Sequence, residues 1–302
     1  MRMAWGLEIE SETLRLCRAE VARGRLHLHR RAEVNVPSGL IRPSQKDANV
    51  ADVPAPGELL REACKSAGCR GWVQVALPDP VFSLRTLVSD ELPAKREEAQ
   101  QFLRWQMREL LPFPVEEGRL DFLPLGSGQD GRARAVCLVA RDRILEEYER
   151  ALKEAGLKPA LLDARSITLA HAAAGTFQAD TAGLLAIGKT WTTLLILREG
   201  RPRFWRTLHE GAEAWTGAER LRLFREVADS LTFCQESDGL EAVEEVALAG
   251  VGAWTSETAS ALEEWLQVPV AALDLCAALH TEGHPDDLVQ WGVAIGAAIR
   301  SC

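Results

Sequence analysis

Long apolar runs are missing from this 302-residue sequence. The best candidate, Leu288–Ile299, is too short and too interrupted to span a bilayer. No apolar segment follows a basic N-terminal flank, so we expect no signal peptide. Any link to a membrane is therefore expected to come through a partner.

Positive charge is also scarce. The chain has 35 Lys and Arg residues against 44 Asp and Glu residues, which gives a net charge of −9. An acidic chain without a basic stripe is a poor binder of nucleic acid, so we expect no nucleic-acid partner. The apolar share of 47% and the charged share of 26% are typical of soluble globular proteins. The length suits two domains, each with its own core.

Motifs for metal binding and nucleophilic catalysis are absent. His27 and His29 lie one residue apart on a predicted strand, but no third ligand accompanies them. The sequence contains neither a Gly-x-Ser-x-Gly nor a His-Glu-x-x-His motif. We therefore predict no catalytic residue and no metal site. The cysteines are scattered and are expected to be reduced and mostly buried; they are Cys17, Cys64, Cys69, Cys137, Cys234, Cys276 and Cys302.

Two stretches of the chain share one pattern. Trp5–Leu16 and Leu184–Leu197 each predict a strand, a tight turn and a second strand, followed by a glycine-containing turn and a third strand. This repeated meander resembles the start of each half of the actin-like ATPase fold. The resemblance implies an α/β, actin-like (ribonuclease H-like) two-domain fold. In that fold the two tight turns face each other across a cleft and hold the phosphates of ATP.

An inserted block separates the two predicted halves. Residues 1–80 are expected to form the first actin-like half, completed by about 164–182, and residues 183–302 the second half. Residues 81–163 are expected to form an inserted α/β subdomain, in the order strand, helix, two strands, helix and strand. The last of these strands is predicted at Pro159–Asp163.

Three segments carry a closer resemblance. Leu110–Glu117 has the sequence LLPFPVEE, Gly156–Asp163 has GLKPALLD, and Val293–Arg300 has VAIGAAIR. In this order they resemble segments of the PilM family, the actin-like cytoplasmic proteins of type IV pilus assembly. The cytoplasmic domain of the type II secretion protein GspL is similar in fold and stays open as a relative.

The resemblance to PilM implies a partner and a location. Proteins of this family bind the cytoplasmic N-terminal tail of a bitopic inner-membrane protein, PilN, and their inserted subdomain helps to form the peptide groove. On this chain the groove is expected at the strand Val81–Val88 and the helix Ala94–Leu111. The protein is accordingly expected in the cytoplasm, attached to the inner membrane only through that PilN-like partner.

The first tight turn departs from the nucleotide-binding pattern of the family. Where that pattern is G-x-D-x-G-S-S, this chain has Gly6-Leu7-Glu8-Ile9-Glu10-Ser11-Glu12. Glu8 keeps an acid at the aspartate position, whereas Glu10 and Glu12 add carboxylates. Like charges about 4 Å apart repel by about 1 kcal/mol even in water. The altered turn is therefore expected to disfavour phosphate.

The second tight turn has lost its acid. In the family pattern D-x-G-x-x-x-T, Ala186 takes the place of the aspartate that would hold Mg²⁺ through water. The family also has a long helical segment after the second meander, whereas here only Ala212–Ala218 precedes the next predicted helix. The resemblance assigns a vestigial or weak nucleotide site to Glu8, Ser11, Gly188, Lys189, Thr190, Gly250 and Gly252.

Two hypotheses follow for the function. The first is a non-catalytic actin-like scaffold that recruits a membrane partner to a pilus or secretion assembly and needs no cofactor. The second is a nucleotide-binding ATPase of the same assembly, in which bound ATP and Mg²⁺ control partner binding. The altered turns favour the scaffold, while Gly188, Thr190 and the glycines near residue 250 favour the ATPase.

Overall fold

The computed structural model describes residues 3–128, 130–238, 240–250, 254–282 and 285–300. These residues form strands and helices that alternate along the chain. The strands are β1 (Ala4–Ile9), β2 (Thr13–Ala22), β3 (Arg25–Asn35), β4 (Gly71–Leu77), β5 (Phe82–Ser89), β6 (Gly118–Ser127), β7 (Ala133–Arg141), β8 (Leu157–Ala164), β9 (Thr181–Ile187), β10 (Thr192–Arg198), β11 (Arg201–Leu208), β12 (Glu245–Ala249) and β13 (Val270–Ala272). The helices are α1 (Pro54–Ala67), α2 (Arg96–Met107), α3 (Asp142–Glu154), α4 (Arg165–Ala172), α5 (Ala212–Thr216), α6 (Arg220–Asp238), α7 (Trp254–Leu266), α8 (Leu275–Ala278) and α9 (Pro285–Ile299).

Two five-stranded sheets have the same topology. The first has the order β3-β2-β1-β4-β8 and the second the order β11-β10-β9-β12-β13. In each sheet three antiparallel strands form a meander, and the last two strands run parallel to the first strand of that meander. The structure therefore confirms the predicted repeat and the α/β fold class.

Both meanders use the same kind of second turn. Arg23 (φ 53°) and Gly24 (φ 78°) join β2 to β3, while Glu199 (φ 51°) and Gly200 (φ 69°) join β10 to β11. Two consecutive residues with positive φ are typical of the type I′ turn, whose twist matches that of the strands it joins. Glycine takes the second position in both turns because the left-handed region costs it nothing.

A third sheet stands apart from the two halves. It has the order β5-β7-β6 and is antiparallel, and α2 packs on one face through Leu103 and Met107. The strand predicted at Pro159–Asp163 is not part of this sheet, because β8 pairs in parallel with β4 and α3 packs on α1. The separate sheet and its helix thus span residues 82–141. A run of apolar residues predicts that a strand forms but does not identify its neighbour.

Helix α9 follows the second half in the chain but packs against the first half. It packs on β1, β2, β4 and α4. The contact is close at two glycines: a Cβ on Gly6 would lie 2.0 Å from the carbonyl oxygen of Ala294, and one on Gly296 would lie 2.1 Å from that of Thr168. Glycine is required at both positions because any side chain would meet backbone atoms.

The second half is short between β11 and α6. Only α5 lies there, and its Trp215 is fully buried, with its indole nitrogen donating to the hydroxyl oxygen of Thr192 at 2.8 Å. Among the described residues, no helix is both long enough and apolar enough to cross a membrane.

Candidate functional site

The two tight turns face each other across a cavity of about 400 Å³. Ser11 and Glu12 line it from the turn between β1 and β2, and Gly188 and Lys189 line it from the turn between β9 and β10. The Lys189 ammonium pairs with the Glu12 carboxylate across the cavity. The two halves of the molecule are therefore joined at this point by an ion pair.

Glu8 lies at the floor of this cavity and is 1% exposed. The register of the first hairpin places it directly opposite Arg15. Its Oε2 is 3.4 Å from Nη1 of Arg15, and its Oε1 accepts a hydrogen bond from Nε of Arg165 at 3.2 Å. Arg15 also donates from Nε to Oε2 of Glu33 at 2.6 Å. Glu8 is thus held between two guanidinium groups.

Arg165, the first residue of α4, brings a second glutamate into the cluster. Its Nε lies 2.6 Å from Oε1 of Glu10. Burial raises the pKa of the Glu10 carboxyl to about 8, with Arg165 opposing the rise and the nearby carboxylates of Glu8 and Asp79 adding to it. Asp79 is fully buried, and its Oδ1 accepts hydrogen bonds from the backbone and the hydroxyl of Ser166 at 2.9 and 3.1 Å. Burial raises the pKa of Asp79 as well, against the pull of Arg165.

The cleft therefore contains a closed set of ion pairs. Glu8, Glu10 and Glu12 each have a cationic partner within the chain, and those partners are Arg15, Arg165 and Lys189. We refer to these six residues as the cleft ion-pair cluster. The sequence analysis identified Glu8, Glu10, Glu12 and Lys189, but it missed Arg15, which pairs with Glu8, and Arg165, which pairs with Glu8 and Glu10.

The predicted nucleotide-site residues are only partly brought together. Glu8, Ser11, Gly188 and Lys189 all line the cavity. Thr190 is exposed next to it, and Gly250 follows the end of β12. Neither is among the described lining residues. Gly252 lies outside the described residues.

Ala186 and Asp163 offer nothing to a metal ion. Ala186 is fully buried on β9, opposite Thr193. Asp163 ends β8, where its Oδ1 accepts from the backbone N–H of Ala164 at 2.8 Å and its carboxylate pairs with Arg300. Within the described part of the chain, no three His, Cys, Asp or Glu side chains are arranged to hold a metal ion.

A second cavity, of about 450 Å³, lies where the three-stranded sheet meets the two halves. Its walls are the loop 43–46, the first half of β5 and the end of β11. Two carbonyls of β5 beside the cavity accept hydrogen bonds from side chains: Gln45 Nε2 donates to the Phe82 carbonyl at 2.6 Å, and Arg85 Nη1 donates to the Leu84 carbonyl at 2.8 Å. We call this cavity the β5 groove.

An exposed apolar surface lies near the β5 groove. Trp105 and Leu110, at and after the end of α2, are 62% and 45% exposed, and they line a shallow depression with Leu87 and Val88 of β5. Pro112, two residues further on, lines the groove itself. The strand that the sequence analysis assigned to a peptide groove therefore lines both depressions, and the helix lines the second.

Comparison with known proteins identifies the family. The family model described as type IV pilus assembly protein PilM matches residues 6–218. The chain belongs to this family. The predicted resemblance to PilM is thus confirmed. A search of the curated proteins found no significant match.

Solved structures agree on the fold of this PilM family member. A PilM–PilN type IV pilus biogenesis complex matches with a TM-score of 0.82 and 24% identity, covering 98% of this chain and 97% of that chain. The cytoplasmic domain of EpsL, an inner-membrane component of the type II secretion system of Vibrio cholerae, matches with a TM-score of 0.53 and 13% identity, covering 98% and 94%. A Bacteroides thetaiotaomicron protein with an actin-like ATPase fold matches with a TM-score of 0.50 and 9% identity, covering 93% and 96%. These matches confirm the actin-like fold.

Proposed function

We propose that this chain is a scaffold of a type IV pilus or related secretion assembly. It binds the cytoplasmic N-terminal tail of a PilN-like inner-membrane protein and does so without hydrolysing ATP. The observation that carries this proposal is the cleft ion-pair cluster, which commits the cations of the cleft to carboxylates of the same chain.

The cluster opposes magnesium triphosphate in two ways. A polyanionic phosphate chain would have to displace the Glu8 carboxylate from Arg165, and breaking a buried ion pair typically costs about 3–5 kcal/mol. The displaced Glu8 carboxylate would then face the phosphates without a metal ligand at Ala186 to hold a bridging Mg²⁺. The residues present therefore do not fit this cofactor.

A titration with Mg-ATP tests the proposal. Ligand at 100 times its Kd would add about 2.7 kcal/mol to the free energy of unfolding. We expect the melting temperature to stay unchanged up to millimolar Mg-ATP, and to stay unchanged in the control with Mg²⁺ alone. A saturable rise with Mg-ATP that neither Mg²⁺ nor inorganic phosphate produces would contradict the proposal.

The β5 groove supports the partner-binding part of the proposal. The carbonyls of Phe82 and Leu84 lie two residues apart on the edge of β5, which is the spacing at which an added strand places its N–H groups. An extended tail could replace the donors of Gln45 and Arg85 with its own backbone, as in strand addition. Its side chains would then contact Trp205 on one side and Pro112 on the other.

A peptide-binding assay tests this docking mode. The probe is a fluorescent peptide covering the cytoplasmic tail of the PilN-like protein from the same genome. We expect Gln45→Trp, which fills the groove, to weaken binding at least tenfold. The matched control is Trp72→Ala, which changes an exposed tryptophan outside the groove. Trp72 is 65% exposed near the start of β4, whereas the groove is lined by Pro80, which follows the other end of that strand. Equal affinity for both variants would place the tail elsewhere.

The proposal also gives the location of the protein. We propose that it is cytoplasmic and held at the inner membrane by the partner tail alone. In cell fractionation it should move from the membrane to the soluble fraction when the tail of the partner is deleted. Retention at the membrane would indicate another anchor.

One observation favours the alternative of a working ATPase. Ser11, Gly188 and Lys189 share a cavity of about 400 Å³ between the two tight turns. If ATP controlled partner binding, ATP would change the affinity for the tail peptide, and the peptide would change the affinity for ATP by the same factor. Repeating the peptide assay with and without Mg-ATP separates the two functions, and we expect no difference.

A further inference from the structure

Helix α1 ends in a glycine-based cap that brings two cysteines together. Gly68 has φ 75°, and its backbone N–H donates to the carbonyl of Cys64 at 2.8 Å. The backbone N–H of Cys69 donates to the same carbonyl at 2.9 Å. In this type of cap the residues at these two positions usually make an apolar contact. Here both are cysteines, and their thiols are hydrogen-bonded to each other.

The two thiols differ in acidity. The hydrogen bond from Cys69 lowers the pKa of the Cys64 thiol, against the effect of burial. The same hydrogen bond, with burial, raises the pKa of the Cys69 thiol. By contrast, burial raises the pKa of Cys17 and brings that of Cys137 to about 12. The cap therefore pairs a thiol of lowered pKa with a neighbour of raised pKa.

The pair is also more accessible than the cysteines of the inner core. Cys64 and Cys69 are 7% and 5% exposed, whereas Cys17 and Cys137 are not exposed at all. A small oxidant can reach such sulfur atoms more readily than a bulky reagent can. Thiolate character and access are the two properties that decide which cysteines oxidise first.

We propose that Cys64 and Cys69 are a redox modification site and form a reversible disulfide across the end of α1. The oxidant is a hydroperoxide such as hydrogen peroxide. The Cys64 thiolate attacks one oxygen of hydrogen peroxide, the O–O bond breaks, and Cys64 becomes a sulfenic acid; the hydroxide that leaves takes up the proton that the thiol released and becomes water. Cys69 then attacks the Cys64 sulfur, the S–S bond forms, and the S–O bond breaks to release a second water. Two thiols lose two electrons and two protons, and the peroxide becomes two waters.

This site is separate from the proposed scaffold function. Neither cysteine lines the cleft cavity or the β5 groove. The bond would fix the end of α1 to the residues that lead into β4. A thiol reductant such as dithiothreitol or glutathione reverses it by thiol–disulfide exchange.

Peptide mapping of the full-length, reduced protein after brief peroxide treatment tests the proposal. We expect a Cys64–Cys69 disulfide that is two hydrogens lighter than the reduced pair and is reversed by dithiothreitol. Cys17 and Cys137 should stay open to alkylation after denaturation. In Cys69→Ser, Cys64 should accumulate a sulfenic acid that dimedone traps. In the control Cys137→Ser, the yield of the disulfide should be unchanged.

Two outcomes of the peptide mapping would contradict the proposal. If Cys64 and Cys69 both remain alkylatable while another cysteine is oxidised, the proposal is wrong. It is also wrong if either one pairs with a different cysteine in the map. These readings come from the unsubstituted protein, so they hold even if a serine variant folds poorly.

Discussion

Arg165 contacts both Glu8 and Glu10 from the start of α4, and its side chain is only 14% exposed. We expect Arg165→Met to lower the free energy of unfolding by about 3 kcal/mol, because it leaves a buried carboxylate without one of its partners. Urea denaturation at neutral pH measures this loss. Adding Glu8→Gln to the same chain should recover part of it.

Lys189→Met provides the matched control. It removes a different cation of the cleft, and the Lys189 side chain is 75% exposed. Exposed ion pairs contribute about 0–1 kcal/mol. If the two methionine variants lost equal stability, Arg165 would not be the centre of the cluster.

Glu10 makes the stability of the protein depend on pH. Its pKa rises from 4.5 to about 8 in the folded chain. Between these values the folded state holds a proton that the unfolded state has lost. The stability that the folded state gains by holding the Glu10 proton is therefore complete below about pH 4.5 and is lost as pH rises through 8. The slope is up to about 1.4 kcal/mol per pH unit.

Glu10→Gln should remove this slope, because an amide does not titrate. Urea denaturation from pH 5 to pH 9 measures the effect, with Glu91→Gln, an exposed position, as the control. The difference in stability between Glu10→Gln and the unsubstituted chain should grow in favour of the variant as pH rises. Parallel pH profiles for the two proteins would rule out a raised pKa at Glu10.

At the scale of elements, the packing of α9 depends on glycine. We expect Gly296→Ala to cost about 1–3 kcal/mol, because the new methyl group would overlap the carbonyl of Thr168 and force α9 away from α4. Thermal unfolding measures the loss. Ser66→Ala, at an exposed position of α1, is the control and should stay within about 0.5 kcal/mol. An unchanged melting temperature for Gly296→Ala would mean that the helix adjusts at little cost.

Most elements could be predicted from the sequence because their signals are local. The turns at Gly24 and Gly200 follow from glycine placed between apolar strands, and the helices follow from the spacing of their apolar residues. The position of β8 could not be predicted. Its residues predict a strand, but only the crossover through α3 puts it beside β4, and that pairing is a property of the assembled sheet.

In the candidate site, too, local contacts could be predicted from the sequence and long-range contacts could not. Arg15 could have been found, because the short turn after Ile9 fixes the register that places it opposite Glu8. Arg165 could not, since it reaches Glu8 from a helix more than 150 residues away in the sequence. Sequence reasoning therefore identified the additional glutamates at the turns and missed Arg165, the cation that pairs with Glu10.

At the scale of the whole molecule, one core joins both halves. The largest cluster of buried apolar residues includes Leu7 and Leu16 from the first half and Leu184 and Trp205 from the second. We expect the two halves to unfold in a single cooperative transition in urea. Tryptophan fluorescence and far-ultraviolet circular dichroism should then give the same midpoint. Two separated transitions would show that the shared core does not couple the halves.

The close packing of α9 on β1 has a consequence for the synthesis of the chain. β1 leaves the ribosome before every other described element, whereas α9 follows all of them. At about 5–20 residues per second, α9 emerges roughly 15–55 seconds after β1. Until then the apolar residues of β1 and β2 that pack against α9 lack this contact. The nascent chain should therefore be a client of chaperones that bind near the ribosomal exit tunnel, and it should be released from them only after α9 has emerged.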